Sequence, residues 1–257
     1  MGLEIAKLLA KDSVVLLSGR HENKVEAAKE KLKGCGEFEY MCMDVGSAED
    51  VKAFAAKAQG LGEVVNVVHT AGVNEYIAGK PTPAHYIIEN NVRGAVNMGE
   101  TFLPIIAEGG SYINIASMSS YYYPMEQYLD MLKEAYKGNL QPMLDECGED
   151  GTKSYAFTKM FVRWYTMANI DRASARGARI NSISPGIIWT DMSKDFEDKA
   201  PGSITGFAAT LPIGRMGQAK EVAELVEFLC KPGYIHGTDI LIDGGNVNYC
   251  RTEQIEA

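Results

Sequence analysis

The chain has 257 residues, 46% of them hydrophobic, with 34 acidic against 25 basic side chains and a formal net charge of −9. That balance disfavours non-specific binding to nucleic acid or to an anionic membrane surface, which draws on an excess of Lys and Arg. The five cysteines (35, 42, 147, 230 and 250) are scattered without a Cys-x-x-Cys pair, which argues against a disulfide framework or a zinc site and for a reducing compartment.

No apolar run approaches the roughly 18 residues of a membrane span, and the first residues carry no signal-peptide pattern, so a cytoplasmic enzyme is the expectation. Helical and strand-like segments alternate from there. Apolar residues at helical spacing predict a helix over Leu3 to Lys11, then a short strand at Val14-Val15-Leu16-Leu17 and a charged helix over Glu22 to Leu32. Phe38 to Met43 reads as strand, Ala48 to Ala58 as helix and Val64 to His69 as strand. A long helix is predicted over His85 to Ile106, followed by a strand at Tyr112 to Ala116. Tyr155 to Ala175 reads as helix, Ala178 to Ile183 as strand, Ala219 to Cys230 as helix and Ile240 to Asp243 as a last strand. Unbroken Val/Ile/Leu runs suit strands covered on both faces, as in a parallel sheet flanked by helices. The expected fold class is therefore α/β, a doubly wound parallel sheet, in one domain spanning residues 1–257.

The segment of about 118–153 departs from this rhythm. Met125, Tyr128, Leu129, Leu132 and Tyr136 fall at helical spacing, Gly138-Asn139 breaks the pattern, and Leu140, Met143 and Leu144 fit a second short helix. Two readings stay open: an amphipathic pair packed on the body, or a lid or wall of a substrate pocket to which Tyr and Met lend apolar surface.

Tyr155 and Lys159 lie four residues apart, so a helix carries phenol and ammonium on one face, one turn apart. Such a pair alone is a weak signal. Its company is the strand-like Tyr112-Ile113-Asn114-Ile115-Ala116-Ser117 ending in a hydroxyl, Asn91 in a helical segment, and Pro185-Gly186 after another apolar run. With Gly2, Asp44-Val45, Thr70-Ala71-Gly72, Asn91-Val92-x-Gly94, Asn181-x-x-x-Pro185-Gly186, Thr190 and Asp243-Gly244-Gly245, in that order and spacing, the chain resembles the short-chain dehydrogenase/reductase family over essentially its whole length.

The resemblance implies a Rossmann-like sheet and hydride exchange between NAD(P) and an alcohol or ketone, without a metal, in a homo-oligomer. It makes Tyr155 the general acid/base, with Lys159 lowering its pKa and holding the nicotinamide ribose. Bringing a phenol from about 10 to about 7 takes roughly 4 kcal/mol of help to the phenolate, and a nearby fixed cation gives help of that sign. Ser117 would bond the substrate oxygen, with Ser119 and Ser120 as neighbouring rivals. Asn91 would hold a helix and the water of a proton relay, with Asn90 as its rival. For the cofactor, Gly2 belongs to the phosphate turn, Asp44 and Val45 meet adenine, and Ala71 and Gly72 admit the adenosine ribose. Pro185, Gly186, Ile188 and Thr190 meet the nicotinamide. Gly19 stands where NAD-preferring members carry an acidic residue and Arg20 follows, so NADP is expected over NAD; the alternative is a surface arginine paired with Glu22 or Asp12.

Two departures from the family pattern matter. The chain starts at the last glycine of the Thr-Gly-x-x-x-Gly-x-Gly loop, which leads to the expectation of a truncated N-terminus lacking the first, central strand. The segment 118–153 lengthens the gap before Tyr155, a feature shared with bacterial 3α-hydroxysteroid dehydrogenase/carbonyl reductases, and favours hydroxysteroids or other bulky carbonyl compounds. The competing readings are a catalytically impaired dinucleotide-binding scaffold or sensor, favoured by the absent phosphate loop, and an epimerase of the extended branch. The epimerase usually has a larger C-terminal domain than this chain offers.

Overall fold

The computed structural model describes residues 1–77, 80–190, 193–194, 197 and 201–256. It alternates strands and helices as β1 (Val15–Gly19), β2 (Phe38–Cys42), β3 (Val64–His69), β6 (Ile106–Ile115), β7 (Arg179–Pro185) and β10 (Asp239–Ile242), interleaved with helices. All pairings among these six are parallel, in two sets ordered β2-β1 and β3-β6-β7-β10. The small pairs β4 (Tyr76–Ile77) with β5 (Lys80–Pro81), and β8 (Ile188–Trp189) with β9 (Gly217–Gln218), complete the strands.

The main helices are α1 (Gly2–Leu9), α2 (Glu22–Leu32), α3 (Ala48–Leu61), α4 (Ala84–Phe102), α5 (Leu129–Tyr136), α6 (Gln141–Cys147), α7 (Gly151–Ala168), α8 (Ile170–Ser174), α9 (Ser203–Thr210), α10 (Ala219–Cys230) and α11 (Asn246–Glu256). Their starts follow from local chemistry. Ser47 accepts the amide of Asp50 to cap α3, Asp150 accepts that of Lys153 to cap α7, and Gln218 with Glu221 forms a capping box on α10. Helices cover both faces of the sheet. Val67 packs with Phe54, Met98 and Phe102 on one side, and its neighbour Val68 with Ile5, Val222 and Val226 on the other. A strand covered twice has no polar face, which is why these runs show no alternation.

Among the described residues no hydrogen bond joins β1 to β3. Their facing edges, with Ile5, Ala6 and Leu9 of α1, line a cavity of about 780 Å³.

Several boundaries differ from the expectation. The helix predicted to Ile106 ends at Phe102, and Ile106 already begins β6. The early part of β6 was hidden because Gly109 takes a positive φ of 78° and the β3–β6 register shifts between Val64 and Asn66. The single helix over Tyr155 to Ala175 is broken at Asn169, whose buried side chain donates to the Tyr165 carbonyl while its backbone leaves the helical region.

Residues 118–153 form two short 3₁₀ turns (Met118–Tyr121 and Met125–Tyr128), then α5 and α6. Met125, Leu132, Leu140 and Met143 join Ile88 and Val92 of α4 and Phe157, Met160 and Phe161 of α7 in one buried cluster. At 100° per residue, those α7 side chains lie on the face opposite Tyr155 and Lys159. Tyr128 and Met131 pack on the same cluster, the Tyr128 ring standing edge-on to Phe157 at 4.7 Å. Of the two open readings, the amphipathic pair packed on the body describes these helices.

Candidate active site

Three elements deliver the polar side chains of the site. Strand β6 ends at Ile115 and hands the chain to Ser117, which caps a 3₁₀ turn by accepting from the Ser119 amide at 3.3 Å and the Ser119 hydroxyl at 3.1 Å. Helix α7 presents Tyr155 and Lys159, and α4 presents Asn91. The Ser117 hydroxyl lies close enough to the Tyr155 phenol to lower its pKa, so the strand-end hydroxyl and the phenol are neighbours. Ser120, by contrast, turns away and accepts from Arg163.

Lys159 is 6% exposed. Its ammonium donates to the Ile115 carbonyl at 2.9 Å and stands 5.6 Å from the centroid of the Tyr155 ring. Burial pushes its pKa down to about 8. Burial also pushes Tyr155 up to about 12; the Ser117 hydroxyl opposes that rise, and the charges of Glu75 and Tyr122 add to it. Of the groups acting on the phenol, Ser117 is the one that lowers its pKa, while the Lys159 ammonium is held by the Ile115 carbonyl.

Asn91 is buried and ties three segments together. Its carbonyl oxygen accepts the Val73 amide at 2.8 Å, and its amide donates to the Val73 carbonyl at 2.8 Å and to Thr158 Oγ1 at 3.0 Å. The loop after β3 is thereby fixed against α7 beside Lys159. Gly72 faces both groups: a Cβ there would sit in ordinary contact, 3.4 Å from Asn91 Oδ1 and from Lys159 Nζ. His69, buried at the end of β3, is pushed down to about 3 by burial and then by the Lys159 charge, which holds it neutral.

The 780 Å³ cavity brings together Gly2, Gly19, Arg20, Asp44, Val45, Ala71, Gly72 and Asn91. A second space of about 400 Å³ continues past Asp44 to Tyr86, Asn90 and Arg93. Helix α1 starts at Gly2 with no side-chain cap. Asp44 accepts the Gly46 amide at 2.9 Å, and the Val45 carbonyl accepts from Asn97. Gly94 is required because a Cβ there would stand 2.8 Å from Val45 Cγ2. Arg20 pairs with neither Glu22 nor Asp12. It donates to the Tyr86 hydroxyl at 2.7 Å and reaches Asn90 Oδ1 at 3.5 Å. Asn90 thus faces Arg20, and Asn91 faces inward.

Pro185, Gly186, Ile188 and Thr190 lie apart from both cavities. Pro185 pairs with Ile242, and a Cβ on Gly186 would meet Asp243 Cα at 2.7 Å. Ile188 is buried, and the Thr190 amide donates to Ser193 Oγ at 2.8 Å. Sequence reasoning missed Tyr86, Thr158 and Glu75. Only Thr158, between the two motif residues Tyr155 and Lys159, carried a local signal.

The family described as short chain dehydrogenase matches residues 1–130, and the one described as Enoyl-(Acyl carrier protein) reductase matches residues 139–246. The chain belongs to the short-chain dehydrogenase/reductase family. It is 29% identical to the short-chain dehydrogenase/reductase bsc3 of Alternaria brassicicola, over 97% of this chain and 93% of that one. It is 27% identical to carbonyl reductase family member 4 of Danio rerio, over 95% and 92%. It is 26% identical to a 3-oxoacyl-acyl-carrier-protein reductase of Pseudomonas aeruginosa, over 95% and 90%. Among solved structures, a short-chain dehydrogenase/reductase from Brucella melitensis superposes with a TM-score of 0.74 at 24% identity, covering 95% of this chain and 91% of that one. A blue fluorescent protein from a metagenomic library, solved with NADPH, superposes with a TM-score of 0.71 at 21% identity, covering 95% and 92%. The doubly wound α/β fold is shared with both of these solved structures.

Proposed function

We propose that this chain is an oxidoreductase that transfers a hydride between NAD(P) and an alcohol or ketone, working as a single domain with Tyr155 as the proton-transfer group. The observation that carries the reading is the meeting of Ser117 and Tyr155 at the end of β6, with the Lys159 ammonium 5.6 Å from the phenol ring. Reducing a ketone needs a proton on oxygen as a hydride arrives on carbon. A phenol held near 12 is fully protonated at neutral pH and is in the form that reduction needs. Ser117 donates to the same substrate oxygen and orients it toward Tyr155. Lys159 would hold the nicotinamide ribose, and Asn91 keeps the loop after β3 in place beside Lys159. The intact Ser117, Tyr155 and Lys159 set disfavours the scaffold or sensor reading.

The fit of a dinucleotide is supported by the cleft at the strand ends and by the N-terminus of α1, which has no side-chain cap, for an anion. When bound, the dinucleotide supplies or accepts the hydride. Gly2, Gly19, Arg20, Asp44, Val45, Ala71 and Gly72 would hold its adenosine half, with Pro185, Gly186, Ile188 and Thr190 on the nicotinamide side. Arg20 favours NADP, because its guanidinium suits a phosphate and no carboxylate is bonded to it among the described residues.

A bulky carbonyl compound, such as a hydroxysteroid, is the substrate class we favour. Its support is Tyr122, half exposed and close enough for its charge to act on Tyr155, together with the relative named as a carbonyl reductase. We place the protein in the reducing cytoplasm, as a homo-oligomer, on its five free cysteines and its family. The test is a panel of ketones with NADPH and NADH, run on the parent and on Tyr155→Phe.

A further inference from the structure

We infer that Glu75 sets the charge of the carbonyl compounds this site accepts, favouring a ketone that carries an ammonium group and rejecting one that carries a carboxylate. The assignment rests on the oxidoreductase reading above and adds a specificity residue to it.

The geometry begins at Gly151, the first residue of α7 and one helical turn before Tyr155 on the same face. A Cβ placed on Gly151 would lie 3.3 Å from Glu75 Cβ and 3.5 Å from the Thr82 carbonyl, so the loop carrying Glu75 is packed against that turn. The loop is pinned by its backbone: the Thr82 amide donates to the Glu75 carbonyl at 2.8 Å, and the Tyr76 amide donates to Asn74 Oδ1 at 3.3 Å. The Glu75 carboxylate itself has no hydrogen bond or ion pair among the described residues.

The neighbouring charges are all engaged elsewhere. Lys153 is held by the Glu146 carboxylate at 2.8 Å, and Lys159 by the Ile115 carbonyl. Asp150 caps α7, and Asp243 accepts the amides of Gly245 and Val247. The Glu75 charge reaches both Tyr122 and Tyr155, pushing each phenol up, and Cys250 and Asp243 act on Tyr122 in the same sense. Lys159 is buried against the Ile115 carbonyl beside the phenol, so at the loop packed on Gly151 the charge without an ion-pair partner is the Glu75 carboxylate. A substrate whose oxygen sits on Ser117 and Tyr155 brings a substituent about 5.4 Å along α7 to Glu75. An ammonium there gains an ion pair; a carboxylate meets repulsion. A neutral group is indifferent.

The experiment compares three ketones of one ring skeleton, bearing an amine, a methyl or a carboxylate, with saturating NADPH. For the parent, kcat/KM should fall in that order. In Glu75→Gln the amine should lose and the carboxylate gain about five- to tenfold, as expected for one charge at this range in a half-exposed site, with the methyl ketone unchanged. Glu75→Asp keeps the charge and should keep the order. Glu75→Gln should also move the rising limb of the alcohol-oxidation pH profile to lower pH, since a neighbouring anion no longer opposes the phenolate; a packing role alone would leave that limb in place. Unchanged selectivity and an unmoved limb in Glu75→Gln, with the parent active, would overturn this assignment alone. A parent that reduces none of the three ketones would overturn the oxidoreductase reading and this assignment with it.

Discussion

Substituting Met for Lys159 removes a cation that the fold buries to 6% exposure and whose pKa burial pushes down to about 8. In the unfolded chain that ammonium titrates near its ordinary 10.5. The difference corresponds to about 3 kcal/mol, taking about 1.4 kcal/mol per pH unit, by which the charged form disfavours folding at neutral pH. Met fills similar volume without charge, and the change leaves the Ile115 carbonyl without its donor, a loss of about 1–3 kcal/mol. Lys159→Met should therefore be slightly more stable than the parent at pH 7, by about 1 kcal/mol. The sign follows from proton counting. Between pH 8 and 10.5 the unfolded parent binds the proton and the folded parent has released it, so parent stability rises with pH through that window. The variant lacks this gain, and its advantage should shrink and then reverse by about pH 10. Urea unfolding of both proteins at pH 7 and pH 10 measures the difference. A variant less stable at pH 7, with a gap that does not change with pH, would refute the reasoning. A buried cation that lowers stability and is nevertheless present fits a functional part.

Changing Gly19 to Asp together with Arg20 to Ile should move the preference from NADP toward NAD, because a carboxylate then meets the ribose hydroxyls; an unchanged ratio of kcat/KM for the two cofactors would place selectivity elsewhere. An extended Val/Ile-rich segment joined ahead of Met1 should enter the gap between β1 and β3, where each buried aliphatic side chain contributes about 1.5–3 kcal/mol before ordering costs. It should raise the urea midpoint and tighten NADPH binding, and no change in either would show that the gap does not accept a strand.

Much of the site was legible because its signals are local. Tyr155 and Lys159 need only helical spacing, Ser117 only its place after an apolar strand, and Asn91 only its Asn-x-x-Gly context. What stayed hidden depends on contacts between distant segments. Tyr86 meets Arg20 across 66 positions, and nothing near either residue announces it. Glu75 lies in a loop of no periodicity, and its relation to Tyr155 appears only once Gly151 brings the loop and α7 together. The partner of Lys159 stayed hidden for a related reason: sequence shows a cation one turn from a phenol, but the Ile115 carbonyl that holds it belongs to β6. Similarly, Gly109 and the register shift concealed the first half of β6, and the amide of Asn169 broke a helix that its flanking periodicity would have continued.

The central claim is that Tyr155 transfers the proton to a carbonyl oxygen. Its most direct measurement is ketone-dependent NADPH oxidation by the parent and by Tyr155→Phe, alongside NADPH binding to each. Loss of one positioned proton donor should lower turnover by about a hundredfold or more, while dinucleotide affinity stays within about twofold because the ring remains. Turnover of the Phe variant within about tenfold of the parent would contradict the account.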